Sequence, residues 1–262
     1  MLNKKISFCF FSLILLLLAG TSIQGQQQEE KNKKKNIHYI LTSGFHNKYL
    51  GNDGAVFHDK PLLQTDFFIE FPKIFDGCFI DIWISFGLDG TDFSSDFGDE
   101  VDVTGGCRKE ISFGFKFNGE VSWYDIFPVF SLKNGDVIKL KARISRPLHI
   151  RGEGFVLYFS DEIYLISKQT EHLKGGAIIR SGIDWNKKIK NRVYVETGME
   201  IFYDNGAFLF DNGWFSKSQL GFGGIAGPLK FGPKLVTIIP LTEVNDNRKT
   251  EIALSFGVSV IF

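Results

Sequence analysis

Apolar residues recur at every second position along most of the chain after residue 36. Between Thr250 and Phe262, the residues Ile252, Leu254, Phe256, Val258, Val260 and Phe262 share one face, while Glu251, Ala253, Ser255, Gly257, Ser259 and Ile261 share the other. Upstream, Ile138, Leu140, Ala142 and Ile144 oppose Lys139, Lys141, Arg143 and Ser145. Val193, Val195, Met199 and Ile201 oppose Arg192, Tyr194, Glu196, Gly198 and Glu200. Val101 and Val103 oppose Glu100 and Asp102. A period of two is that of a half-buried strand. The pattern predicts about twelve strands, near 37–47, 61–71, 78–88, 98–107, 111–124, 136–147, 153–163, 173–185, 191–204, 214–225, 229–240 and 250–262.

One stretch tests the register. Asn118-Gly119 has the composition of a two-residue hairpin turn. Phe113, Phe115, Phe117, Val121 and Trp123 nevertheless share one parity across it. A turn there would send Glu120, Ser122 and Tyr124 to the apolar side, so an unbroken strand is expected. The strand placement then leaves longer connections near 48–60, 89–97, 125–135, 164–172, 205–213 and 241–249. Shorter ones fall near 72–77, 108–110, 148–152, 186–190 and 226–228. The two sets alternate, as in a barrel with long loops at one end and tight turns at the other.

Alternation alone does not say which face meets solvent. A soluble sandwich turns its apolar face inward, whereas a membrane barrel turns it outward to lipid. Residues 1–25 carry Lys4 and Lys5, the apolar run Ile6–Leu18 and then small residues, which is the order of a secretory signal peptide. Residues 26–36 (QQQEEKNKKKN) contain no apolar side chain and read as a polar periplasmic linker. An exported chain closing on an alternating strand with a final aromatic resembles a bacterial outer-membrane barrel. In such proteins Val258, Val260 and Phe262 would be read by the barrel assembly machinery. The expected fold is therefore all-β: a transmembrane antiparallel up-and-down β-barrel over residues 37–262, in the outer membrane.

Composition narrows the chemistry. The chain has 28 Phe and 28 Gly but only 7 Pro, consistent with aromatic-rich strands. Its 30 basic and 30 acidic residues balance, which argues against a nucleic-acid partner. No residue spacing points to a cofactor or metal. His46 and His58 share one loop region but are too few for a metal site. Ser43 with His46 and Ser145 with His149 are the nearest nucleophile and base pairs, and neither sits in a motif of membrane lipases, lipid-trimming enzymes or barrel proteases, so no catalytic residue is expected. Gly221, Gly223 and Gly224 lack the strand–loop–helix context of a phosphate site.

The polar face supplies the candidate site. Lys139, Lys141 and Arg143 form its densest basic stripe, with Glu100, Asp102, Glu120, Glu196 and Glu200 as acidic counterparts. Two arrangements stay open: charges lining an open lumen and sorting solutes, or charges paired across a narrow one, with Glu120 and Glu162 flanking the stripe. Cys78 and Cys107 are placed to oppose each other on neighbouring strands and could form a disulfide in an oxidising periplasm.

The segment from Tyr39 to Ile126 resembles the TorF family of small outer-membrane porins. The likeness is carried by Asn47-Lys48-Tyr49-Leu50-Gly51-Asn52-Asp53-Gly54-Ala55-Val56, by Leu62-Leu63-Gln64-Thr65-Asp66-Phe67, by Phe79-Ile80-Asp81-Ile82-Trp83, by Glu100-Val101-Asp102-Val103-Thr104-Gly105-Gly106 and by Ser122-Trp123-Tyr124. Leu50 stands where the family usually has Arg, and a glycine expected between Phe79 and Trp83 is missing. The resemblance implies a porin without catalytic residues. The expected function is passive diffusion of small hydrophilic solutes, with the lipid bilayer as the other partner and no cofactor. The rival readings are a non-conducting surface barrel whose loops bind a partner, and a barrel hydrolase.

Overall fold

A computed structural model describes residues 37–51, 53–89, 99–126, 136–150, 153–166, 175–189, 192–246 and 248–262. The expected signal peptide and linker lie outside the described residues, as do positions 90–98, 127–135 and 167–174 of the longer connections. The strands are β1 (His38–His46), β2 (Tyr49–Leu50), β3 (Val56–His58), β4 (Leu62–Phe71), β5 (Cys78–Gly87), β6 (Glu100–Glu110), β7 (Lys116–Ile126), β8 (Val137–Ile150), β9 (Glu153–Ile166), β10 (Gly176–Ile189), β11 (Val193–Asn205), β12 (Gly213–Ala226), β13 (Leu229–Pro240) and β14 (Glu251–Ile261).

Twelve of these form one closed antiparallel barrel, β1 and β4–β14, each paired with its neighbours in sequence order. β2 and β3 form a separate hairpin. Closure pairs β1 with β14 from Ile40↔Ile261 to His46↔Ser255. The Phe262 N–H also donates to the Tyr39 carbonyl at 3.0 Å, so both ends of the barrel chain meet on one rim. A closed sheet leaves no edge of unpaired backbone groups.

The alternation sets the two faces as expected, and the sense is the reverse of a water-soluble barrel. Met199 and Phe222 are 65% and 55% exposed, and Ile252, Leu254 and Phe256 are about as open. Glu162 and Arg180 are 3% and 4% exposed. An outer surface this apolar exceeds what monomers normally show to water. It fits an environment of acyl chains around an enclosed polar interior.

One expected strand is corrected. The 111–124 segment runs unbroken through Asn118-Gly119, but it begins only at Lys116. Residues 111–115 form the turn that had been expected at 108–110. The Ile111 N–H bonds the Phe115 carbonyl at 2.8 Å, around a short 3-10 turn at Ser112–Gly114. Phe113 takes φ 63° there and is 87% exposed. The shared parity of Phe113 and Phe115 was therefore a coincidence of the turn and not a pleat.

Close approach explains the glycines of β12. A Cβ on Gly223 would lie 1.9 Å from the Phe231 carbonyl oxygen, and one on Gly232 would lie 2.1 Å from that of Phe222. These glycines let β12 and β13 come together.

Candidate functional site: the lumen and its inward hairpin

The connection between β1 and β4 falls among the longer loops expected at one end of the barrel. It folds into the barrel instead. Its turn is closed by the Gly51 N–H to the Ala55 carbonyl (2.8 Å) and by the Ala55 N–H to Asp53 Oδ1 (3.1 Å). Gly54 adopts φ 90°, which a glycine accepts readily. A Cβ at Gly54 would sit 3.2 Å from Ile238 and 3.6 Å from Phe215, so the turn rests on inward side chains of β12 and β13. Tyr49 packs on Trp83 of β5 at 5.5 Å between ring centroids, and on Phe57 at 5.4 Å. Phe57 in turn meets Phe208 at 6.0 Å, and Phe208 meets Tyr164 of β9 at 4.9 Å.

These contacts join an apolar cluster inside the barrel at the end away from the termini. Val137, Tyr164, Ile178, Phe202, Ala207, Phe215 and Ile238 are its buried members, and Leu50, Phe208 and Val244 pack against it. Phe202 and Phe215 stack at 5.1 Å with planes 12° apart. The lumen is thus a packed core at one end.

Arg248, in the β13–β14 connection, ties the connections together. Its guanidinium pairs with Asp204 and with Asp246 (2.8 Å), and donates to the carbonyls of Asp53 (3.1 Å) and Asp211. It also lies 4.4 Å over the Phe215 ring. Asp204 reciprocates by accepting the Ala207 N–H at 2.8 Å. Burial pushes the Asp53 carboxyl up from its ordinary value to about 6. The Asp204 charge adds to this, while the Ala55 N–H, Arg248 and Arg180 oppose it.

Below this cluster the wall is charged. Every candidate of the polar face sits on a strand and on the lumen side. Lys141 lies between Glu120 (3.4 Å) and Glu162 (3.6 Å). Arg180 bridges Glu162 (3.2 Å) and Glu200 (3.0 Å), and Lys217 approaches Glu200 at 3.8 Å. Arg143 pairs with Asp184 (3.2 Å) and lies 3.9 Å over the Tyr158 ring, whose hydroxyl donates to Glu200 (2.7 Å). Lys230 holds Glu196 at 2.6 Å. Lys139 points elsewhere, its Nζ 5.0 Å from the centre of the Tyr124 ring. The basic stripe therefore splits: Lys141 and Arg143 are paired across strands, as in the paired arrangement, and Lys139 makes no ion pair among the described residues.

The opposite wall differs. Glu100 and Asp102 share the lumen face of β6, and Asp66 and Asp81 sit on the neighbouring strands β4 and β5. Among the described residues no Lys or Arg makes an ion pair with any of these four.

Cys78 and Cys107 are register partners and form a disulfide near the rim that holds the termini. Ser43 donates to or accepts from Thr65 at 3.2 Å, and its parity sets it on the opposite face from His46, so that pair is not brought together. The side chain of His149 lies outside the described residues. No group of three metal-ligating side chains occurs among the described residues. Sequence reasoning missed the inward hairpin and Arg248, because their partners lie far away in the chain and leave no periodic trace.

No protein-family model matches the chain, and neither does any curated protein. Solved structures do. The translocator domain of the autotransporter NalP from Neisseria meningitidis aligns with a TM-score of 0.50 at 9% identity, over 94% of this chain and 97% of its own. The NanC porin aligns with a TM-score of 0.51 at 9% identity, over 85% and 98%. An outer membrane channel from Pseudomonas putida F1 aligns with a TM-score of 0.50 at 8% identity, over 88% and 97%. At such identities the likeness is one of fold: the closed barrel of this chain is shared with outer-membrane porins, channels and translocator domains alike.

Proposed function

We propose that the chain is exported to a bacterial outer membrane, inserted by the assembly machinery through its last strand, and conducts small hydrophilic solutes passively along a lumen that its own hairpin narrows. The observation that carries this reading is the reversed polarity of the barrel: Met199 and Phe222 open outward while Arg180 and Glu162 are enclosed. An enclosed, charge-lined interior offers polar partners to a hydrated solute, and the apolar exterior needs lipid. The TorF-like segment supports a porin assignment from sequence.

Selectivity in this reading rests on the inner wall. Lys141 and Arg143 are neutralised by Glu120, Glu162 and Asp184, so the field that a solute meets comes from side chains left over. Among the described residues these include Lys139 on one wall and the Glu100, Asp102, Asp66 and Asp81 group on the other. The hairpin and the apolar cluster make the wild-type path narrow. They are also what favours a second reading, a non-conducting surface barrel.

Planar-bilayer recordings separate the two. Wild-type protein should give small, frequently closed conductance steps, and deletion of residues 48–60 should raise the step size several-fold. Silence from both proteins, each shown to be folded, would leave the surface-barrel reading.

A further inference from the structure

Between the inward hairpin and the inner faces of β4–β9 lies a chamber of about 580 Å³. We propose that this chamber binds a small organic cation, an aromatic or alkyl amine, and that such amines are the solutes the lumen takes up. The uptake half of this statement rests on the channel reading above, whereas the binding half does not.

Three features of the lining point to this ligand. The first is acidity. Asp53, Asp81, Glu100 and Asp102 line the chamber, and Lys139 is the one basic side chain in its described lining. The second is a set of acceptors with nothing to accept from. Asp53 Oδ2, Asp81 Oδ1 and Asp102 Oδ1 are buried and have no hydrogen-bond partner among the described residues, and Asp53 is only 2% exposed. A buried acceptor without a donor is costly. An ammonium carries donors and no acceptor, so it complements this set. The third is the aromatic wall, formed by Tyr49, Phe57, Trp83, Tyr124, Tyr164 and Phe208. Ring faces attract cations, most strongly where water is excluded. The volume falls within the range of pockets that enclose a small molecule. An anion would meet four carboxyl groups against one ammonium.

Lys139 makes the proposal testable with opposite signs. Its Nζ already occupies the face of Tyr124 at 5.0 Å, where it stands in for part of a bound ammonium. Removing it should free that ring for the ligand.

The test uses the full chain folded in detergent, with tyramine as the probe and, as the reading, the change in tryptophan emission that is lost in Trp83→Phe. Its carboxylate analogue, 3-(4-hydroxyphenyl)propionate, has a closely similar ring and linker but the opposite charge. Tyramine should saturate at sub-millimolar concentration and the analogue should not. Asp81→Asn with Asp102→Asn should weaken tyramine binding by about tenfold or more, the scale of losing charge-assisted contacts. Lys139→Gln should tighten it. Heat-modifiable gel mobility confirms that each variant is folded, and Lys139→Gln still decides the matter if the double variant does not fold. Absence of saturable tyramine binding, equal binding of the analogue, or weaker binding by Lys139→Gln would each overturn the proposal. Binding by a protein that is silent in bilayers would retain the amine site and remove the channel. Conductance without binding would do the reverse.

Discussion

Arg248 shows how one side chain can set the state of the long-loop end. Its guanidinium satisfies the Asp204 carboxylate, the Asp246 carboxylate and two carbonyls, one of them on the inward hairpin. Both Arg248 and Asp204 are buried, so removal of the cation leaves an unpaired carboxylate in a dry place. Arg248→Ala should therefore weaken the hairpin's docking by about 3 kcal/mol or more. That corresponds to roughly a hundredfold faster amide exchange at Gly51 and Ala55. Unchanged exchange would show that the aromatic contacts hold the hairpin alone.

Asp53 adds a pH dependence whose sign follows from its raised value of about 6. A carboxyl that titrates higher in the docked state than in a free chain binds more protons when docked. The hairpin is then held best below about pH 4 and loses hold as pH rises through about 6, by no more than about 3 kcal/mol. Relative to Asp53→Asn, wild-type hairpin exchange should accelerate over that window. A flat ratio between the two proteins would contradict the assignment of the effect to Asp53.

At the scale of elements, the barrel strands were legible because their signal is local. Ile138, Leu140 and Ile144 against Lys139, Lys141 and Arg143 declare two faces within eight residues, and the structure places both faces accordingly. The register test at Asn118-Gly119 worked for the same reason: the apolar parity of Phe117, Val121 and Trp123 is kept only by a continuous strand. The strand's start was not legible. Phe113 is a strand-favouring aromatic, but it sits at φ 63° in a turn, and nothing in the residue type announces that conformation. The inward hairpin was illegible for a deeper reason. Asn52-Asp53-Gly54 signals a turn, yet whether that turn faces solvent or the lumen depends on Phe215 and Ile238, which lie far along the chain. The Cys78–Cys107 pairing was legible because hairpin register is arithmetic once the strands are placed.

At the scale of the whole molecule, one choice organises everything else: which face of the closed sheet is wet. Exposed positions on a water-soluble protein tolerate substitution, usually within about 0.5 kcal/mol. Met199, at the middle of β11 and widely exposed, should not. Met199→Arg should lower the stability of the barrel folded in vesicles by about 2–4 kcal/mol, the cost of a charge facing mid-bilayer lipid. Urea titration in vesicles reads that loss, and a neutral substitution would count against a lipid-facing surface.

The most direct measurement compares two neighbours. Spin labels are placed singly, at Met199→Cys and at Glu200→Cys, on the protein reconstituted in bilayers. Collision rates are then recorded with oxygen, which concentrates in lipid, and with a water-soluble nickel chelate. The account predicts that the label at 199 collides with oxygen and is shielded from the chelate, and that the label one residue along is shielded from lipid. A label at 199 that meets the chelate as freely as a surface loop does would contradict it.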